Sequence, residues 1–105
     1  DTAVLRQAEG ARIAIHNGTQ DGTLAPRTAE FFRSQGLNVV EETNAQNIYN
    51  VSQIIIYHGK PYTARYITDL LGIPSSQVKF EFNPDNYADI VLILGNDWAS
   101  SNPLP

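Results

Sequence analysis

The sequence predicts an α/β protein of the two-layer kind, an α+β sandwich in which a five-stranded mixed sheet carries two helices on one face. Three observations carry that expectation. Apolar runs short enough for strands alternate with runs of helical periodicity, the alternation that builds strand-helix-strand units. The order strand, His, Gly, helix, Gly, strand occurs twice, from "IAIHNG" to "LNVV" and again from "IIIYHG" to "VKFEF". A last run, "ADIVLILG", is apolar nearly throughout, as a strand covered on both faces must be. Two units plus this closing strand make five strands. The apolarity of the closing strand assigns it to the middle of the sheet, between the first strands of the two units. A ferredoxin-like arrangement is the alternative.

Residues 1–11 are small and polar and read as a linker; the domain is expected over 12–98 and a tail over 99–105. In the first strand Ile13 and Ile15 share one face and Ala14 the other. From Leu24 to Gln35 the positions Leu24, Ala25, Thr28, Ala29, Phe31 and Phe32 recur at helical spacing, with Thr23 as the expected N-cap and Gly36 as the stop. "LNVVEE" is a strand and "TNAQNIYN" a polar connection. "SQIIIYH" has the buried pattern of a central strand, after which Pro61 suits the first turn of a helix whose apolar face is Ala64, Ile67, Leu70 and Leu71. Gly72 and Pro74 end that helix. "QVKFEF" alternates Val78, Phe80 and Phe82 with Gln77, Lys79 and Glu81, the pattern of a strand with one wet face.

Composition bounds the function. The 105 residues are 42% hydrophobic and 10% aromatic, enough for one packed core. A net charge of -4, with seven scattered basic residues, excludes the cationic patch that nonspecific nucleic-acid binding needs. No apolar run approaches the roughly 20 residues that cross a bilayer. The chain has no Cys, hence no disulfide framework and no thiolate metal site. It also has no Met and starts "DTAVLRQAEG", so it reads as a piece of something longer, and a membrane contact is expected only through an anchor upstream of this segment.

The run "IAIHNGTQDGTLAPRTAEFF" invites comparison with phosphate loops and fails both patterns. Gly18 and Gly22 lack the third glycine of G-x-G-x-x-G, and no Lys follows Gly22 as a Walker loop requires. A structural turn is the expectation, with Asp21 already occupying the field of the helix terminus. His16 and His58 each end a strand before Gly, but two His without a third ligand do not make a zinc site. Asp21, Asp85, Asp89 and Asp97 are carboxylates with no tie to a common site; Asp85 and Asp89 suit turn and strand-start capping. The serines lack a G-x-S-x-G elbow. Trp98 follows the closing strand, where it either closes the core or offers a flat contact to a sugar, and five tyrosines lie near loops and strand ends. No catalytic set, metal or cofactor is expected. "NGT" at Asn17 and "NVS" at Asn50 fit the glycosylation pattern, which matters only in a eukaryotic secretory protein.

The segments "RIAIHNGTQDGTLAPRTAEFFRSQGLNVVE", "IIIYHGKPYTARYITDLLG" and "ADIVLILGNDW" together resemble the LytR/CpsA/Psr C-terminal domain family. Its pattern is an apolar strand, N-G-S/T, a small-residue helix, G-hydrophobic-x-V and a final hydrophobic-L-G-x-D. The resemblance spans residues 12 to 98 and implies a bacterial, extracytoplasmic envelope protein, often one with an upstream membrane helix and sometimes a LytR/CpsA/Psr catalytic domain. It implies no catalytic residue in this domain. His16 departs from the pattern, which has an apolar residue there.

These readings lead to a noncatalytic binding module for cell-wall glycan such as peptidoglycan, or for an envelope protein. Its expected face gathers His16, Asn17, Gly18, Thr19, Gly22, His58, Asp97 and Trp98, on the premise that parallel strands bring their following loops to one end of the sheet. A small hydrolase or transferase using His16 or His58 with Asp97 and a dimerisation module are the alternatives.

Overall fold

A computed structural model describes residues 1–104. The elements are α1 (Thr2–Glu9), β1 (Arg12–Asn17), α2 (Leu24–Ser34), β2 (Asn38–Asn44), β3 (Gln53–Ile56), α3 (Pro61–Leu71), a 3-10 turn at Ser75–Gln77, β4 (Val78–Phe80), β5 (Ile90–Leu94) and α4 (Asn96–Ser101). The five strands form one sheet in the order β2-β1-β5-β3-β4. The closing strand β5 lies between β1 and β3, as its composition requires, and all five of its residues are buried. Pairing of β1 with β2 and of β3 with β4 is parallel, the direction that strand-helix-strand units impose. That arrangement excludes the ferredoxin-like alternative, in which the strands of a unit are not neighbours.

Alternation within the strands sets the two faces. Ile13, Ile15, Ile54, Ile56, Leu92 and Leu94 look toward α2 and α3 and join Phe32, Ile67 and Trp98 in the main core. Ala14, Val91 and Ile93 look the other way and are covered by Ala88 with Tyr49 and Tyr57, a thin layer built from loops and side chains. The two long helices thus share one face. Gly36 and Gly72 adopt left-handed φ of 81° and 66° behind them, the conformation that stops a helix.

Two expectations are corrected. The linker expected over residues 1–11 is helix over most of its length. Asp1 caps it by accepting the Ala3 N–H, and Gly10 ends it with φ 57°. It buries no residue, Val4 and Leu5 being exposed, and polar contacts dock it. Glu9 accepts the Tyr62 and Thr63 N–H groups at 2.8 Å each and so caps α3 from outside that helix. The Arg6 guanidinium lies 4.2 Å from the centre of the Tyr66 ring. At the other end α4 (Asn96–Ser101) runs from the expected domain into residues 99–101 of the expected tail, and Leu104 packs against the core; Pro105 lies outside the described residues.

The second correction concerns "QVKFEF". Strand β4 is only Val78–Phe80, and the face expected to be buried is open: Phe80 is 76% and Phe82 77% exposed. Both rings stand open at the edge of the sheet.

Candidate functional site

The direction of β3 divides the face expected to bind. β1 and β5 run parallel, with Asn17 opposite Leu94, but β3 is antiparallel to β5, with Ile56 opposite Ile90. The chain therefore leaves β3 at the end of the sheet where β1 begins. His58 and the Asn17–Gly22 loop lie at opposite ends. The premise that the loops after both first strands gather together fails for this reason.

At the first end the residues hold one another. Asn17 is 4% exposed; its Oδ1 accepts the Thr19 N–H at 3.0 Å and the Thr19 hydroxyl at 2.7 Å, while Nδ2 donates to the Asp21 carbonyl. N-G-T is thus an internal turn, and its buried amide is unavailable for glycosylation. Gly18 is required by close approach: a Cβ there would stand 2.6 Å from the Leu94 carbonyl oxygen and 2.7 Å from the Tyr49 ring. Gly22 has open space around it and no such need. Thr23 is the N-cap of α2, as expected, but its side chain makes no cap bond to the helix; Asp21 accepts both the Thr23 hydroxyl and its N–H instead. Those bonds, the hydroxyl's first, hold the Asp21 carboxyl below its ordinary pKa, with Arg27 adding to them.

Asp97 and Trp98 are structural as well. Asp97 Oδ1 accepts from Ser52 N–H, Ser52 Oγ and Trp98 N–H, which ties the start of α4 to the approach to β3. Trp98 is 2% exposed and its Nε1 donates to Thr28 Oγ1 at 3.0 Å. It closes the core, so the sugar-platform reading is withdrawn. What the loop does line, with residues 44–48, is a shallow polar cleft of about 360 Å³ bordered by Gln20, Asn44, Gln46 and Asn47.

His16 belongs to a different cluster, on the thinly covered face. Its Nε2 stands 3.0 Å from Glu41 Oε1, to which the Tyr87 hydroxyl also donates at 2.7 Å. Tyr87 first and His16 second hold the Glu41 carboxyl below its ordinary pKa. Burial, then the Glu41 carboxylate, push the Tyr87 phenol up to about 12. A carboxylate held ionised and a phenol held protonated are both far from the neutral poise of general acid-base catalysis. Nor does either His share a bond with Asp97: His58 Nδ1 faces Asp89 Oδ1 at 3.5 Å. Asp89 is buried and takes a two-pronged ion pair from Arg12, a role beyond the strand-start cap expected of it. Among the described residues no three His, Cys, Asp or Glu side chains converge as metal ligands.

A concavity of about 500 Å³ lies at His58's end, between α3 and β4. Ile56, Ala64 and Val78 contribute apolar surface, and Phe80 and Phe82 stand open on its β4 side. His58 meets the Phe82 ring edge-on, 6.2 Å between centres. Lys60 and Arg65 are among its lining residues and no carboxylate is, in a chain with 11 acidic and seven basic residues. Of the residues expected to bind, only His58 is here. The groove was visible in sequence as the Val78, Phe80, Phe82 alternation, which has the same form whether a strand is covered or bare.

Comparison with solved structures finds a similar fold in the soluble domain of a conserved hypothetical secreted protein, an Rv2700 ortholog, from Mycobacterium marinum. The match has a TM-score of 0.60 and 17% identity and covers 92% of this chain and 70% of that one. Comparison with curated proteins finds no match. The sequence model of a family described as LytR cell envelope-related transcriptional attenuator matches residues 10–98, from the end of α1 to Trp98. With nearly all of its folded length accounted for, the chain belongs to this LytR C-terminal (LytR_C) family.

Proposed function

We propose that this domain is a noncatalytic accessory module of a bacterial cell-envelope protein, held outside the cytoplasmic membrane by an upstream anchor, and that it docks a polypeptide in the α3–β4 groove. The observation that carries the reading is the pair of open phenylalanines, Phe80 and Phe82, on an unpaired sheet edge beside an apolar groove. Exposed apolar surface next to a free strand edge is the arrangement that strand-adding partners use. The envelope family and the secreted fold neighbour support the location. Against catalysis stand the internal commitments of Asp97, Glu41 and Asp89.

A photo-crosslinking residue at position 80, in the full envelope protein in living cells, tests the reading. Discrete protein adducts are expected there and not from position 40, an exposed apolar control on the far edge. Their absence would remove it. A second reading, cell-wall glycan, is favoured by the amide-lined cleft at Gln20, Asn44, Gln46 and Asn47, since such amides suit sugar hydroxyls. Retention on insoluble peptidoglycan that is abolished by Gln46→Ala with Asn47→Ala would establish that reading instead.

A further inference from the structure

Strand β4 is one edge of the sheet, and its backbone alternation decides which groups that edge presents. The Glu81 N–H donates to the Ile56 carbonyl at 3.0 Å, and Ile56 stands opposite Phe80 in the parallel register. Lys79 and Glu81 therefore spend their backbone groups on β3, while the Phe80 N–H and C=O point to the free side. Side chains alternate too: Phe80 shares the groove face with Val78, and Lys79 lies on the other face.

We propose that the polypeptide received by the groove is a second copy of this chain, docked by antiparallel pairing of β4 with β4 about a two-fold axis at Phe80. The proposal rests on the protein-docking reading above. "VKFEF" is self-complementary about its centre. The axis sets Phe80 against Phe80 as a hydrogen-bonded pair, each N–H meeting the other's C=O. On the opposite face it sets Lys79 against Glu81 of the second copy, twice by symmetry. On the groove face it brings Val78 against Phe82, so the open rings of both copies fill the trough between two α3 helices. The other edge cannot do this. β2 carries Glu41 and Glu42 with no Lys or Arg, so no two-fold register there makes an attractive pair, and registers centred on the acids oppose carboxylates. A two-fold contact closes at two copies, which joins the β4 edges without propagating into a fibre.

Sedimentation equilibrium with charge swaps tests the pairing. The wild-type chain is expected to dimerise; Lys79→Glu alone and Glu81→Lys alone each create two like-charge pairs and should weaken the dimer by about tenfold. The double swap is self-complementary again and should restore it. In a chain without cysteine, Phe80→Cys should oxidise to a disulfide dimer, because hydrogen-bonded antiparallel partners have Cα atoms about 5.5 Å apart. Val40→Cys on the other edge should not, and circular dichroism checks that each variant is folded. Monomer at millimolar concentration with no preferential Phe80→Cys dimer would overturn the proposal, as would single swaps without effect or a double swap that fails to restore. Adducts from position 80 to a different protein would overturn it while leaving the protein-docking reading in place; no adducts would remove both.

Discussion

Arg12 and Asp89 tie together one end of the sheet. The Asp89 carboxylate accepts the Arg12 backbone N–H at 2.8 Å and its guanidinium through Nε at 3.3 Å and Nη2 at 2.9 Å. The Asp89 carbonyl meanwhile accepts from Tyr57 and His58, so one residue joins the starts of β1 and β5 to the end of β3. Burial alone would raise this carboxyl's pKa; the hydrogen bonds and charge of Arg12 outweigh it and bring it below the ordinary value. As pH falls, the unfolded chain takes up the proton first. The contribution to stability is complete above the unfolded pKa of about 3.9 and is lost as pH falls through the folded one. Asp89→Asn should cost about 1–3 kcal/mol at neutral pH, and urea midpoints should converge with wild type in acid. Equal losses at every pH would contradict this account.

Tyr87 gives the opposite sign at the other end of the scale. Its pKa is raised to about 12, so the unfolded chain loses the phenolic proton first, near the ordinary value of about 10. The stability it adds is full below that pH and disappears as pH rises toward 12. The ultraviolet phenolate signal of wild type minus Tyr87→Phe should titrate above the ordinary tyrosine value. Glu41→Gln should move that signal only part of the way back, because burial is the larger cause. A return to the ordinary value would make the carboxylate, not burial, the dominant influence.

Glu9 tests whether the first helix matters to the domain. Both of its carboxylate oxygens are used on the first turn of α3, the Thr63 hydroxyl included at 2.6 Å. Lys60, at the cap position of α3 itself, makes no side-chain cap. Glu9→Ala should therefore cost about 1–2 kcal/mol, as loss of a helix cap does. Removing residues 1–9 should cost at least as much, measured by denaturant unfolding. A truncated chain of unchanged stability would return the segment to the status of a linker.

What was legible in the sequence was whatever leaves a periodic apolar signal. β5, the two amphipathic helices and the repeated unit were read correctly because burial dictates their composition: Ile13 and Ile15, Ile54 and Ile56, Ala64 and Ile67 had to be where they are. Helix α1 leaves no core signature, because Glu9 and Arg6 dock it through polar contacts and it buries no residue. The expected binding face failed on strand direction. His16 and His58 follow similar strands, but whether two such strands run together or opposed depends on how the units join, which no local pattern encodes. Phe80 and Phe82 show the converse error: a core-like alternation in which Val78 meets the core and the two rings stand open.

Trp98 decides between a residue of the core and a residue of a site. As the single tryptophan, it reports its own surroundings. Its burial and its bond to Thr28 Oγ1 require emission at short wavelength and weak quenching by small solutes in the native state. Thr28→Val keeps the shape but leaves a buried indole N–H without its partner, which should cost about 1–3 kcal/mol with little change in emission. Trp98→Ala removes a large buried core side chain and should cost about 3–5 kcal/mol. Peptidoglycan fragments should leave the emission of the folded chain unchanged even at saturating concentration. A saturable shift with those fragments would show that the indole can be reached after all, and would return Trp98 to the binding site from which its burial removes it.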